Sequence, residues 1–313
     1  MRISNSTFTG NFLSNIQQLE QQQNTLQGQA SSGLKVTTPE DNPAVMAQVL
    51  NLQTDSSSNT QYQSNITQLQ NTATTSASAM NSLQTLVSQV NEIATEASSG
   101  TTSSTQLSAY ATQVSALIQQ AVQLGNTKDA GGNYIFSGTA TTTQPFIATT
   151  SASGDVTAVT YQGNTEVAAA DIGPNTTVSA QVPGANSSGS GAEGLFADTR
   201  TGADLFSHMI SLHQDLASGN TSAISATDAP ALNTDEDNII SQISANGAMQ
   251  SALSAASSIA TAQGTNLTTQ ISNNTSADLA QTLTELSQTQ TAFEAALESG
   301  TMVMSVSLLN FLA

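Results

Sequence analysis

His208 and His213 are the side chains of this 313-residue chain best suited to hold a metal or carry a proton near neutral pH. They lie five positions apart in one predicted helix, which turns them more than about 100° from each other around the axis. Alone they cannot complete a three- or four-ligand site, so solvated or partly packed rings are expected. The run Asp235, Glu236, Asp237 would splay its carboxylates around a helix. The reading it supports is a cap at a helix start, where carboxylates meet free N–H groups and the positive end of the dipole. Glu92 and Glu96, one helical turn apart, read as a solvated face, and Asp155 and Asp171 beside Gly154 and Gly173 mark turns. Serines are abundant but none sits in a G-x-S-x-G elbow, and the Gly-Ser stretch near Gly189 lacks both the strand-then-helix context and the lysine of a phosphate loop. With no cysteine there is no thiolate nucleophile or thiolate metal site. The expectation is a chain without catalytic, cofactor-binding or metal residues, and not an enzyme.

The charge balance excludes other classes. Only Arg2, Lys35, Lys128 and Arg200 are basic, against 22 acidic residues, so no patch can neutralise a run of phosphates and nucleic acid is a poor partner. Charged residues make up 8% of the chain, far below the roughly 25% of an ordinary soluble domain, and the surface must be polar but largely uncharged. No apolar run approaches the ~18 residues of a membrane span, and the opening residues lack the pattern of a cleaved secretory signal.

Positioning elements follow from periodicity. From Tyr62 a four-three alternation runs through Ile66, Leu69, Ala73, Ser76, Met80, Leu83, Val87, Val90, Ala94 and Ala97, with Ser76 its one polar miss. It resumes after Ser99-Gly100 with Leu107, Tyr110, Val114, Leu117, Ala121 and Leu124, predicting an antiparallel helical hairpin. A weaker helix is expected from about Ile239 to Leu267. Near the start Phe12, Ile16, Leu19, Leu26 and Ala30 form a polar heptad. Near the end Leu279, Leu283, Leu286, Gln290, Phe293, Leu297, Gly300, Met304, Leu308 and Phe311 keep a helical stripe. Between Ile147 and Val182 the spacing shortens toward two, predicting a small β-rich insertion, with Gly184–Gly194 as a flexible return and Ala203–Leu216 as a short helix.

The fold class is therefore mainly α with a β-rich insertion: a long antiparallel helical rod formed by both chain ends plus a small distal β domain. The domains are terminal helical arms (1–40 plus 275–313), a helical rod domain (41–140 plus 200–274) and a β-rich insertion (141–199) with its flexible return linker. Each arm has about eight seam positions worth ~2 kcal/mol when buried, against ~1–2 kcal/mol of backbone ordering for each of about 30 residues. The arms are therefore expected to be disordered or fraying in the free chain and to fold on assembly. Phe12, Ile16, Leu19, Leu26, Leu283, Leu286, Phe293, Leu297, Leu308 and Phe311 are the candidate intersubunit contacts, the alternative being that they only pair the two arms of one chain.

Three segments carry a resemblance. LEQQQNTLQGQASSGLKVTTPEDNPAVMAQVL resembles the opening helix, Ser-Ser-Gly turn and following loop of the flagellin superfamily, with Pro39, Asp41, Asn42 and Pro43 similar to the hook-filament junction branch (flagellar hook-associated protein 3 type). KDAGGNYIFSGTATTTQPF, Lys128–Phe146, resembles that branch's entry to its β domain, and Ala277–Leu312 resembles the closing helix. Glu40, Asn42 and the scarcity of basic residues in the opening helix depart from the pattern. The resemblance implies a structural subunit exported through the flagellar type III apparatus with a cytoplasmic chaperone. It would form a homo-oligomeric ring between the other hook-filament junction protein and filament flagellin, in the extracellular flagellum and without a cofactor. A filament flagellin and a secreted coiled-coil interaction protein are the alternatives.

Overall fold

A computed structural model describes the backbone of residues 5–312 and the side chains of residues 10–302. Helices dominate. Helix α1 (Asn5–Ser32) is followed by α2 (Pro43–Ser98) and α3 (Ser104–Gly125), then by the strands β1 (Phe146–Thr150), β2 (Val156–Tyr161), β3 (Ala170–Gly173) and β4 (Thr176–Val178). Three two-residue strands, β5 (Ala185–Asn186), β6 (Ala197–Asp198) and β7 (Ala203–Asp204), lead into α4 (Leu205–Ser218), a single turn α5 (Thr221–Ala223), a π-helical turn at Ile224–Asp228, α6 (Ala229–Thr275) and α7 (Leu279–Leu312). Two compact units result: residues up to Ser58 with those from Gln263 onward, called unit 1, and Asn59–Ala262, called unit 2.

Unit 2 holds the main core. Met80, Leu83, Val87, Val90, Ala94 and Ala97 of α2 bury against Leu107, Ala111, Val114, Ile118 and Ala121 of α3, as the four-three spacing requires. Ser103 and Gln106 close a capping box at the start of α3, each side chain taking the other's backbone N–H. The polar miss, Ser76, is fully buried and its hydroxyl finds no partner. Desolvating a hydroxyl without replacing its hydrogen bonds costs about 1–3 kcal/mol. Asn59 and Gln63 of α2 donate to the carbonyl of Ala260 at 2.9 and 3.0 Å, fixing α6 alongside.

The β region is three small sheets: the antiparallel hairpin β1–β2, the hairpin β3–β4, and β5–β6–β7 with a parallel β5–β6 pair. It closes over a cluster of four phenylalanines, Phe136, Phe146, Phe196 and Phe206. Gly125 and Gly184 let the Phe146 ring lie against the main chain; a Cβ at either would overlap it.

Three local expectations change. Helix α2 begins at Pro43, not near Tyr62, because Asn42 caps it through a Val45 N–H bond of 3.1 Å and Pro43 sits at the first helical position. Helix α6 begins at Ala229, so Asp235 lies inside it and does not cap it. The Gly184–Gly194 stretch is tied down: Asn186 donates to the carbonyls of Ser190 and Ala192 at 2.7 Å, and Asn238 donates to those of Gly194 and Leu195. Buried Asp198 accepts from Gly194 N–H and pairs with Arg200.

Candidate assembly surface

Within unit 1, α1 and α7 lie antiparallel, Phe12 against Gly300 at one end and Leu34 bridged to Ser276 at the other. The turn that sets this pairing starts at Gly33, whose φ of 71° suits glycine. Its carbonyl accepts from Ala277 N–H at 2.9 Å, Lys35 N–H donates to the Thr275 carbonyl at 2.7 Å, and Lys35 Nζ reaches the Asn273 carbonyl at 3.2 Å. Asp41 folds the following loop by accepting from the backbone N–H groups of Thr37 and Thr38 at 2.9 and 2.8 Å, bonds that hold its carboxyl below the usual range. Asp278 caps α7, accepting from Ala280 and Gln281 N–H.

The facing stripes differ between the helices. On α1, Phe12, Ile16, Leu19, Gln23 and Ala30 are half-buried and Leu26 is buried, so the heptad line turns inward as one face. On α7 the inward line is Thr282, Leu286, Thr289, Phe293, Ala296 and Gly300. Thr282 and Thr289 are buried without a partner helix hydroxyl because each donates to its own helix, to Asp278 and Glu285 carbonyls at 2.8 Å. Leu279, Leu283 and Leu297 fall off this line and remain 48%, 55% and 45% exposed, as does Leu13 of α1 at 56%. Of the sequence-expected contacts, Leu26 is buried and Phe12, Ile16, Leu19, Leu286 and Phe293 are half-buried within the chain, whereas Leu283 and Leu297 are exposed. The side chains of Leu308 and Phe311 lie outside the described residues.

Gly300 is buried beneath the Phe12 ring, and an added Cβ would overlap that ring. Gly-to-Ala inside a helix ordinarily stabilises by about 1 kcal/mol; here overpacking of about 1–3 kcal/mol should reverse the sign. Gly300→Ala is expected to lower hydrogen-exchange protection of α1 and α7 amides. In a Phe12→Ala background the same change should raise it, and a rise in both backgrounds would show that the ring does not rest on Gly300.

The groups singled out for chemistry are dispersed. His208 Nδ1 lies 2.8 Å from Asp235 Oδ2, and His213 Nε2 lies 3.6 Å from Asp155 Oδ1, which also accepts from Ser115 at 3.0 Å. Glu96 accepts from the Tyr110 hydroxyl at 2.6 Å. Glu236 accepts from Ser88 and Asn91. Among the described residues no three His, Cys, Asp or Glu side chains converge on a metal-sized point, and no helix is long and apolar enough to cross a membrane.

Residues 3–141 match the bacterial flagellin N-terminal helical region. No curated protein matches along the sequence. Among solved structures, one from Vibrio parahaemolyticus assigned as a flagellar hook-associated protein is 18% identical with a TM-score of 0.63, covering 75% of this chain and 100% of that one. Bacillus cereus FlgL is 16% identical with a TM-score of 0.56, covering 71% and 99%. Xanthomonas campestris FlgL is 16% identical with a TM-score of 0.54, covering 68% and 98%. Residues 3–141 are thus similar to the flagellin N-terminal helical region, and the chain shares its fold with the FlgL-type hook-associated structures.

Proposed function

We propose that this chain is a structural subunit of the bacterial flagellum that joins hook to filament, assembling as a ring through its terminal helices. The observation that carries the proposal is the antiparallel α1–α7 pair, which turns one line of each helix inward and leaves Leu279, Leu283 and Leu297 exposed. Exposed leucines on an already paired helix supply apolar surface that a neighbouring copy would bury. Residues 1–40 and 275–313 serve as the assembly arms, 41–140 with 200–274 as the helical body, and 141–199 as the β insertion. Neighbours on the two sides are the other hook-filament junction protein and filament flagellin. Export proceeds through the type III apparatus with a cytoplasmic chaperone, placing the subunit outside the cell. Its contribution is mechanical and not catalytic.

A filament flagellin is the second reading, favoured by the match over residues 3–141. A strain lacking this chain separates the two. The junction reading expects complete hooks, no filaments, and filament subunit accumulating in the medium. Hooks without filaments and no shed subunit would support the flagellin reading, and normal filaments would overturn both.

A further inference from the structure

The lines of α2 and α3 that face each other fill the core of unit 2, and the lines next to them border a groove. Tyr110 and Leu117 stand seven residues apart on one face of α3, and on α2 Glu92 and Glu96, one turn apart, flank Ile93. The groove has a volume of about 530 Å³ and is lined by α2 and α3 alone, within the roughly 300–1,000 Å³ of ordinary ligand pockets. Ile93, Tyr110 and Leu117 are half-buried against the core and form its floor, while Glu92, Glu96 and Ala116 are exposed beside them. The Tyr110 hydroxyl donates to Glu96 Oε2 at 2.6 Å, reaching from α3 to α2 and holding that carboxylate at the groove. A group positioned before binding loses less freedom when a partner arrives.

Charge decides what can settle there. A second copy of this chain is a poor occupant, because it carries 22 acidic residues against 4 basic ones and its described basic side chains are engaged elsewhere. Lys35 Nζ reaches the Asn273 carbonyl at 3.2 Å, Lys128 Nζ lies 4.5 Å from the centre of the Tyr134 ring, and Arg200 pairs with Asp198. Two carboxylates beside an apolar floor repel an acidic surface and favour a cation that brings apolar side chains with it.

We propose that the α2–α3 groove docks an amphipathic helix of another protein, with large apolar side chains one turn apart seated on Ile93, Tyr110 and Leu117 and a lysine or arginine beside them paired with Glu92 and Glu96. A groove that runs between two packed helices takes the side-chain ridge of a third, and residues three or four apart on that helix stand about 5–6 Å from each other, close enough to share the floor. The floor supplies the affinity. The carboxylates set the choice of partner and speed its approach, an effect that salt weakens. The proposal holds whether or not the chain sits at a hook-filament junction.

The test is fluorescence anisotropy of a labelled synthetic helix of about five turns, with leucines at four-three spacing and lysines along one flank, titrated with the full chain. Wild type should bind it saturably, and about tenfold or more tighter than the same peptide with glutamates in place of the lysines. Glu92→Lys with Glu96→Lys should reverse that preference. Glu294→Lys with Glu298→Lys makes the same charge change at the same spacing on exposed sites of α7, and should leave the preference as in wild type. Ala116→Gln, an uncharged good helix former at an exposed site lining the groove, should weaken the lysine peptide about tenfold by filling its seat. No saturable binding to wild type would overturn the proposal. Equal weakening by the two lysine pairs would overturn it too, since the peptide would then be answering only to net charge, as would binding that Ala116→Gln leaves unchanged. Self-association of the free chain that Ala116→Gln abolishes would show that a second copy fills the groove, and would also overturn it.

Discussion

Replacing Phe196 by alanine is expected to destabilise unit 2 by about 3–5 kcal/mol, the cost typical of emptying a buried ring site that cannot collapse. Phe196 is 1% exposed and touches three other rings: Phe206 stacked at 5.3 Å, Phe146 tilted at 4.8 Å and Phe136 edge-on at 5.7 Å. Its backbone N–H also donates to the Gly184 carbonyl at 2.8 Å, and its carbonyl accepts from Leu205 at 2.9 Å. The ring therefore joins the β region to the first turn of α4 through both side chain and main chain. Rigid neighbours on three sides leave little room for repacking, which places the change at the upper part of the range. For a unit of this size the melting temperature should fall by roughly 6–20 °C. Calorimetry of wild type and Phe196→Ala checks it. A loss under about 1 kcal/mol would show that the aromatic cluster is not the centre of unit 2.

The helices were legible because their apolar residues keep a four-three spacing. The C-terminal helix was legible as a helix but not in its facing. The spacing joins Leu279, Leu283, Leu286, Phe293, Leu297 and Gly300 into one stripe, whereas the inward line runs through Thr282, Leu286, Thr289, Phe293 and Gly300. Threonine hides from such counting: its hydroxyl bonds to its own helix carbonyl four residues back and the methyl then packs inward. Gly300 falls on the stripe by spacing alone, but its fit beneath Phe12, nearly three hundred residues earlier, does not follow from spacing. The alternation between Ile147 and Val182 was legible as strands, but the Gly184–Gly194 stretch read as a linker. What holds that stretch is side-chain-to-backbone bonding by Asn186, Asp198 and Asn238, which composition does not register. Asp235 read as a cap because the helix start was placed too late; the π-helical turn that moves the boundary to Ala229 has no periodic signature.

Putting a charge on the outward stripe of α7 should separate the two roles of that helix. Leu283 and Leu297 are about half exposed in the chain, so Leu283→Glu with Leu297→Glu costs the folded monomer little, and glutamate is a good helix former. At an interface the same residues would be fully covered. Losing two leucines of ~1.5–3 kcal/mol each when buried, and adding two carboxylates with four basic residues in the whole chain to meet them, should weaken association by a thousandfold or more, at about 1.4 kcal/mol per tenfold. Thr284→Glu with Thr291→Glu, also exposed on α7 but off the leucine stripe, is the control for charge alone.

The direct measurement is the amount of filament subunit released into the medium by a strain whose only copy of this chain is the Leu283→Glu, Leu297→Glu variant, set beside wild type and the threonine control. Assembly through the terminal helices predicts variant protein that is exported and folded, hooks without filaments, and filament subunit shed as if the chain were missing. Filaments of normal length, with no more subunit in the medium than from wild type, would contradict it.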